Sequence, residues 1–159
     1  MATSQQSQTT IWLIEDNAGD VGLFREAAHD AGLEAVIDVM TDGSTAIERI
    51  AQVDVRDVPD VIVFDLDLPG ASGREVLTAI KRHPLLMHVP AILLTGAQRF
   101  ETDPEHGHPF VPDEYLVKPG NWSQYWGLMD LIRGFIGMRR DPSLSSQPAE
   151  GLRRPHAAT

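Results

Sequence analysis

The chain has 159 residues, 42% of them hydrophobic and 23% charged, which is enough for one core that buries about 70% of the unfolded surface. Thirteen basic residues stand against 23 acidic ones, a formal net charge of −10, so neither nucleic acid nor an anionic membrane surface is expected as a partner. Cysteine is absent, which excludes disulfides and thiolate chemistry and suits a cytoplasmic setting. No apolar stretch approaches the ~18 residues of a membrane span, and the polar start is not a signal peptide.

Residues 1–9, rich in Ser, Thr and Gln, are read as a flexible N-terminus. Ile11 to Ile14 is a continuous apolar run, the pattern of a strand buried on both faces. It stops at Glu15-Asp16-Asn17, where Asp16 or Asn17 can cap a helix. In that helix Val21, Phe24, Ala28 and Ala31 fall at helical spacing, and Gly32 ends it. Ala35 to Met40 is a second strand, Asp42-Gly43-Ser44 a turn, and Ala46, Ile47, Ile50 and Ala51 mark a short helix. Val61 to Phe64 is the third strand. It ends in Asp65-Leu66-Asp67-Leu68-Pro69-Gly70, a loop by its Pro-Gly pair. Ser72 can cap a helix whose inward positions are Val76, Leu77 and Ile80. Ala91 to Leu94 is a fourth strand, stopped by Thr95-Gly96, and Tyr115 to Val117 a fifth, stopped by Lys118-Pro119-Gly120. A long apolar helix over about 121–138 closes the domain, and 139–159 reads as a disordered tail. Five buried runs alternating with helices give an α/β class, a doubly wound five-stranded parallel sheet.

Ligands of an open parallel sheet sit beyond the carboxyl ends of its strands. Strand one offers Glu15 and Asp16 there, strand three Asp65 and Asp67, strand four Thr95 and strand five Lys118. Two carboxylates ~4 Å apart repel by roughly 4 kcal/mol at an effective dielectric of ~20. The acids therefore need protons, a cation or Lys118 beside them, and hard oxygen ligands favour Mg²⁺. Any one of these acids is as readily a solvated loop residue or a cap. The whole set, in order and each at a strand end, is not.

That set resembles the receiver domain of two-component response regulators, the CheY-like (flavodoxin-like) fold. The matching pieces are Glu15-Asp16-Asn17, Asp65-x-x-x-Pro69-x-x-x-Gly73, Thr95 and Lys118-Pro119, over about residues 10–138. The wording EDNAGDVGLFREA and then DGSTAIERI is further similar to stand-alone regulators that partner phytochrome kinases. The resemblance implies that Asp65 accepts a phosphoryl group from phosphohistidine on a sensor histidine kinase. It implies that Asp16, Asp65 and the main-chain carbonyl of Asp67 ligate Mg²⁺, with Glu15 acting through a water. Thr95 and Lys118 would hold the phosphoryl group, and Tyr115 would be the aromatic switch. Asp67 and Ala97 would tune hydrolysis. The implied protein is a phosphoacceptor and not an enzyme beyond weak autodephosphorylation, with an output by protein binding or phosphorelay, since no output domain is expected after residue 138.

A second likeness is to haloacid-dehalogenase-type phosphatases, whose first motif Val61-Ile62-Val63-Phe64-Asp65-Leu66-Asp67 resembles. There Asp65 would be a nucleophile and Asp67 a general acid, with Mg²⁺. Three features oppose it: about 50 residues precede a motif that normally sits on the first strand, Pro69 follows where Gly-Thr is usual, and no acidic pair follows Lys118. A pseudo-receiver acting only as a binding module fits poorly with the intact Asp, Thr and Lys set.

Receivers carry a helix between strands four and five, but residues 98–112 hold Pro104, Gly107, Pro109 and Pro112. One interior proline costs ~3 kcal/mol, so this fourth helix of the fold is predicted to be degenerate. On the last helix, apolar residues from Trp122 to Met138 span an arc of about 200°. Half of it suffices to pack on a sheet. The excess predicts a homodimer through Leu128, Ile132, Phe135 and Ile136. Glu105-His106-Gly107-His108 is read as a solvated loop and not a metal site. His29 and His83 are read as surface residues, and Trp12 as core.

Overall fold

The computed structural model describes residues 7–96, 111–141 and 143. The apolar runs form β1 (Thr10–Ile14), β2 (Val36–Met40), β3 (Val61–Phe64), β4 (Ala91–Thr95) and β5 (Glu114–Val117). The helices are α1 (Ala18–Asp30), α2 (Gly43–Gln52), α3 (Gly73–Arg82) and α4 (Trp122–Arg140). The strands make one parallel sheet in the order β2-β1-β3-β4-β5. β1, β3 and β4 are buried on both faces because helices cover both.

Alternation along each strand sends neighbouring side chains to opposite layers. Trp12, Ile14, Ile62, Phe64 and Leu93 pack with Ala46 and Ile50 of α2 and Val76, Leu77 and Ile80 of α3. Ile11, Leu13, Val61, Val63 and Ile92 pack with Phe24, Ala27 and Ala28 of α1 and with α4. Each fully buried side chain of this kind contributes roughly 1.5–3 kcal/mol over an exposed one. Trp12 is core, as expected, and Arg49 of α2 lies 5.2 Å above its ring.

Helix starts follow the short polar residues that precede them. Asn17, not Asp16, caps α1 by accepting from the Asp20 N–H, and Ser72 with Glu75 forms a capping box on α3. Asp42-Gly43-Ser44 is a helix start instead of a turn: the Asp42 carboxylate accepts from the Thr45 N–H at 2.7 Å. β2 begins at Val36, one residue later than read.

Further expectations need correction. The expected boundary lies between residues 9 and 10, and contacts with the domain begin before it. Thr9 is buried, its carbonyl accepts from the Val36 N–H, and Arg140 donates to the Ser7 carbonyl and the Thr9 hydroxyl. α4 likewise runs two residues past the expected end at 138. Of the four residues expected at a dimer interface, three are occupied within the protomer. Leu128, Ile132 and Ile136 are buried against the sheet with Tyr125 and Met129, and Phe135 alone is half-exposed. The helical arc told which residues share a side of α4 but not how deep the sheet reaches around it. Leu131, Phe135 and Met138 remain as a narrower stripe at its margin.

Of the segment 98–112, only Val111 and Pro112 are described, and neither is helical. The rest of that expectation lies outside the described residues, as do residues 1–6, Ala97, the Glu105–His108 motif and the chain from 144 onward. His29 is exposed, and His83 is half-buried with its ring nitrogen accepting from the Leu85 N–H.

Candidate functional site

Parallel pairing in register brings the ends of β1, β3, β4 and β5 to one edge. The Asp65 N–H donates to the Ile14 carbonyl at 3.1 Å, and the Lys118 N–H to the Thr95 carbonyl at 2.8 Å. Glu15, Asp65 and Thr95 are only 4%, 6% and 0% exposed, whereas Asp16 and Asp67 are open to solvent. Burying a carboxylate is costly unless it is paired, and here one ammonium does the pairing. Lys118 Nζ lies 2.9 Å from Glu15 Oε2, 2.9 Å from Asp65 Oδ2 and 2.6 Å from Asp20 Oδ2.

The electrostatics follow from this crowding. Burial pushes the Glu15 carboxyl above its ordinary range, although the Asn17 N–H and Lys118 pull it down. Burial alone would lower the Lys118 amine, but its hydrogen bonds to Asp20, Asp65 and Glu15 outweigh that and hold it charged, well above its usual value. Burial also raises the nearby Tyr125 phenol, with the Asp20 carboxylate adding to it. Glu15, Asp16 and Asp65 offer oxygens that all lie within 4.8 Å of one another. Such a set of hard anionic donors fits a small divalent cation.

The loop after Asp65 is held by backbone contacts. The Gly73 N–H donates to the Leu66 carbonyl and the Gly43 N–H to the Pro69 carbonyl. A Cβ on Gly73 would lie 2.3 Å from the Asp65 carbonyl oxygen, and one on Gly43 1.9 Å from that of Ala71. Gly70 turns the loop with a φ of 78°, a conformation that favours glycine. Within it the Asp67 N–H donates to Asp65 Oδ1 at 3.2 Å, which orients the carboxylate.

The structure thus brings together Glu15, Asp16, Asp65 and Lys118, with Thr95 buried at the adjacent strand end. Tyr115 is half-buried beside the core on β5, three residues before Lys118. Asp20 was missed. It sits in the first turn of α1, and reading only the residues directly after each strand passes it by.

Comparison with known proteins agrees with this fold. The profile of the response regulator receiver domain matches residues 11–125. The chain belongs to the response regulator receiver family. Among its relatives is the response regulator Rcp1 of Synechocystis, 27% identical over 138 residues, which are 85% of this chain and 93% of that protein. Another is the probable methanogenesis regulatory protein FilR2 of Methanothrix harundinacea, 29% identical over 83% of this chain and 86% of that one. The crystal structure of the phosphorylated cyanobacterial phytochrome response regulator RcpA superposes with a TM-score of 0.65 at 30% identity, covering 85% of this chain and 96% of that one. The Mn²⁺-bound form of Rcp1 gives a TM-score of 0.60 at 28% identity, over 88% and 97%. Nothing in these comparisons favours a phosphatase, and β3 with its Asp65 is third in the chain and central in the sheet. This receiver is a two-component signalling domain, and receiver domains take phosphoryl groups from histidine kinases.

Proposed function

We propose that this receiver takes the phosphoryl group on Asp65, with Mg²⁺ as cofactor. The observation that carries the reading is the buried Asp65 carboxylate 2.9 Å from the Lys118 ammonium, within a set of oxygens suited to a cation. Asp16 and Asp65 would hold the ion, with the Asp67 main-chain carbonyl and, through a water, Glu15. When bound, it supplies positive charge that lets a carboxylate and a phosphoryl group approach.

The residues of the chain do the remainder. An Asp65 oxygen attacks phosphorus, and the P–N bond breaks with its electron pair going to the imidazole nitrogen of the kinase. Lys118 neutralises the charge on the phosphoryl oxygens, and the Thr95 hydroxyl donates to one of them. The charge gained at Asp65 draws Thr95 inward, and Tyr115 follows as the switch. Asp67 orients water towards the acyl phosphate, and Ala97 is the second position read from the sequence as tuning hydrolysis. Turnover is limited to loss of the receiver's own phosphoryl group.

The likeness to RcpA and Rcp1 supports a phytochrome-type histidine kinase as donor. A kinase that charges itself with ATP implies a cytoplasmic site of action. Among the described residues no helix is long and apolar enough to cross a membrane. The receiver unit is taken as residues 7–140. A homodimer through α4 rests on the Leu131, Phe135 and Met138 stripe, and light scattering of wild type against Phe135→Glu tests it: a dimer mass lost in the variant supports the dimer, and a monomeric wild type refutes it.

The test of the main reading is intact-protein mass spectrometry after incubation with acetyl phosphate and Mg²⁺. Wild type should gain one phosphoryl group and Asp65→Asn none. Equal labelling of Asp65→Asn would overturn it.

A further inference from the structure

An ammonium has three N–H protons. In this receiver all three meet carboxylates, from Glu15, Asp65 and Asp20, at 2.9, 2.9 and 2.6 Å. Lys118 therefore has no spare donor for a phosphoryl oxygen and must release a partner when one arrives. The three are not equally able to let go. Glu15 is buried, and its second oxygen is tied to the Asn17 N–H at 3.0 Å. Asp65 is the residue that becomes esterified, on the reading above. Asp20 is the most exposed of the three carboxylates and stands on the first turn of α1, where the helix dipole and water can both receive its charge.

We infer that Asp20 is a positioning residue that competes with the phosphoryl group for Lys118. Before phosphorylation it completes the ammonium's hydrogen bonds beside Asp65. Afterwards it is displaced, and its remaining attraction for Lys118 weakens the grip on the phosphoryl group. This inference rests on Asp65 being the phosphoacceptor. Removing the Asp20 charge with asparagine leaves Glu15 and Asp65 to hold the ammonium in place, so Lys118 keeps its position and its third donor meets only a neutral amide oxygen, a weaker acceptor than a phosphoryl oxygen. The α1 cap also survives, because it uses the backbone N–H of Asp20 and not its side chain.

The experiment measures the affinity for beryllofluoride, a phosphoryl mimic, by calorimetry in Mg²⁺, and in parallel the rate of labelling by acetyl phosphate. Asp20→Asn should bind beryllofluoride about fivefold more tightly, the factor for a partly exposed ion pair at the strong end of its range, and should label faster. Asp20→Glu restores the charge and should stay near wild type. Asp30→Asn removes an acid at the far end of α1, whose recorded partner is His29, and should change nothing. The ¹⁵N resonance of the Lys118 ammonium should shift, with faster proton exchange, in Asp20→Asn alone. Unchanged or weaker binding in Asp20→Asn, or an equal gain in Asp30→Asn, overturns the inference while a labelled wild type leaves the phosphoacceptor reading intact. A wild type that takes up neither beryllofluoride nor phosphoryl removes both.

Discussion

Asp65 is held from two sides by different physics. On the loop side, residues 65–73 are fixed by backbone packed on backbone, with no room for a methyl group on Gly43 or Gly73. On the lysine side, the end of β5 is held to β1 and α1 by one ammonium shared among three carboxylates. Steric fixing does not depend on solution conditions. Charge fixing changes with any cation or phosphoryl group that enters. On the proposed function, the loop side aims Asp65 while the lysine side responds to its phosphorylation.

The largest effect is expected on the steric side. Gly73→Ala forces its methyl against the Asp65 carbonyl, and overpacking against backbone should destabilise by about 3 kcal/mol, read as a lower urea midpoint. A change near zero would mean that the loop yields, and the contrast between the two sides would be lost.

On the charge side, Mg²⁺ should stabilise the protein, since the acids repel one another without it. At ten times its Kd the gain is about 1.4 kcal/mol, and Asp16→Asn should lose most of it. Equal stabilisation of Asp16→Asn in the same titration would exclude Asp16 as a ligand.

Asp67 bridges the two sides, with its backbone in the fixed loop and its carboxylate in solvent. An exposed acid positions water loosely, so Asp67→Ala should lengthen the phosphorylated lifetime by roughly threefold, well below what a held general base supplies. A lifetime unchanged or shortened would argue that the acid repels hydroxide instead.

The smallest effect concerns Asp42, which caps the helix that carries Gly43. Hydrogen bonds from the Thr45 N–H and then the Thr45 hydroxyl hold its carboxyl below the ordinary aspartate range. A depressed folded value means that the fold favours the charged form. Its contribution is present above the free aspartate value and is lost as pH falls through the folded one. The stability gap between wild type and Asp42→Ala should therefore narrow from pH 7 to pH 3. A gap that widens in acid would reverse the sign.

What could be read in the sequence divides along similar lines. The strands were legible because β1, β3 and β4 are buried on both faces and each stops at an acid or a hydroxyl-glycine pair. The exposed start of the edge strand β2, at Val36, blurred its boundary. Asp42-Gly43-Ser44 has the composition of a turn, and only the close approach of Ala71 shows why a glycine opens a helix there. The acids and Lys118 were found by looking just past each strand, and the same rule hid Asp20, one helical turn further on. On the last helix, periodicity counts apolar positions. It does not measure how far the sheet and α1 wrap around Leu128, Ile132 and Ile136.

The central claim, that Asp65 is the acceptor, is tested most directly by locating the acyl phosphate. Borohydride reduces an aspartyl phosphate to homoserine, so protein treated with acetyl phosphate and Mg²⁺, reduced and digested, reports its modified residue by peptide mass spectrometry. The account predicts homoserine at position 65 and at no other acid. Homoserine at 16 or 67, with an intact Asp65, would contradict it.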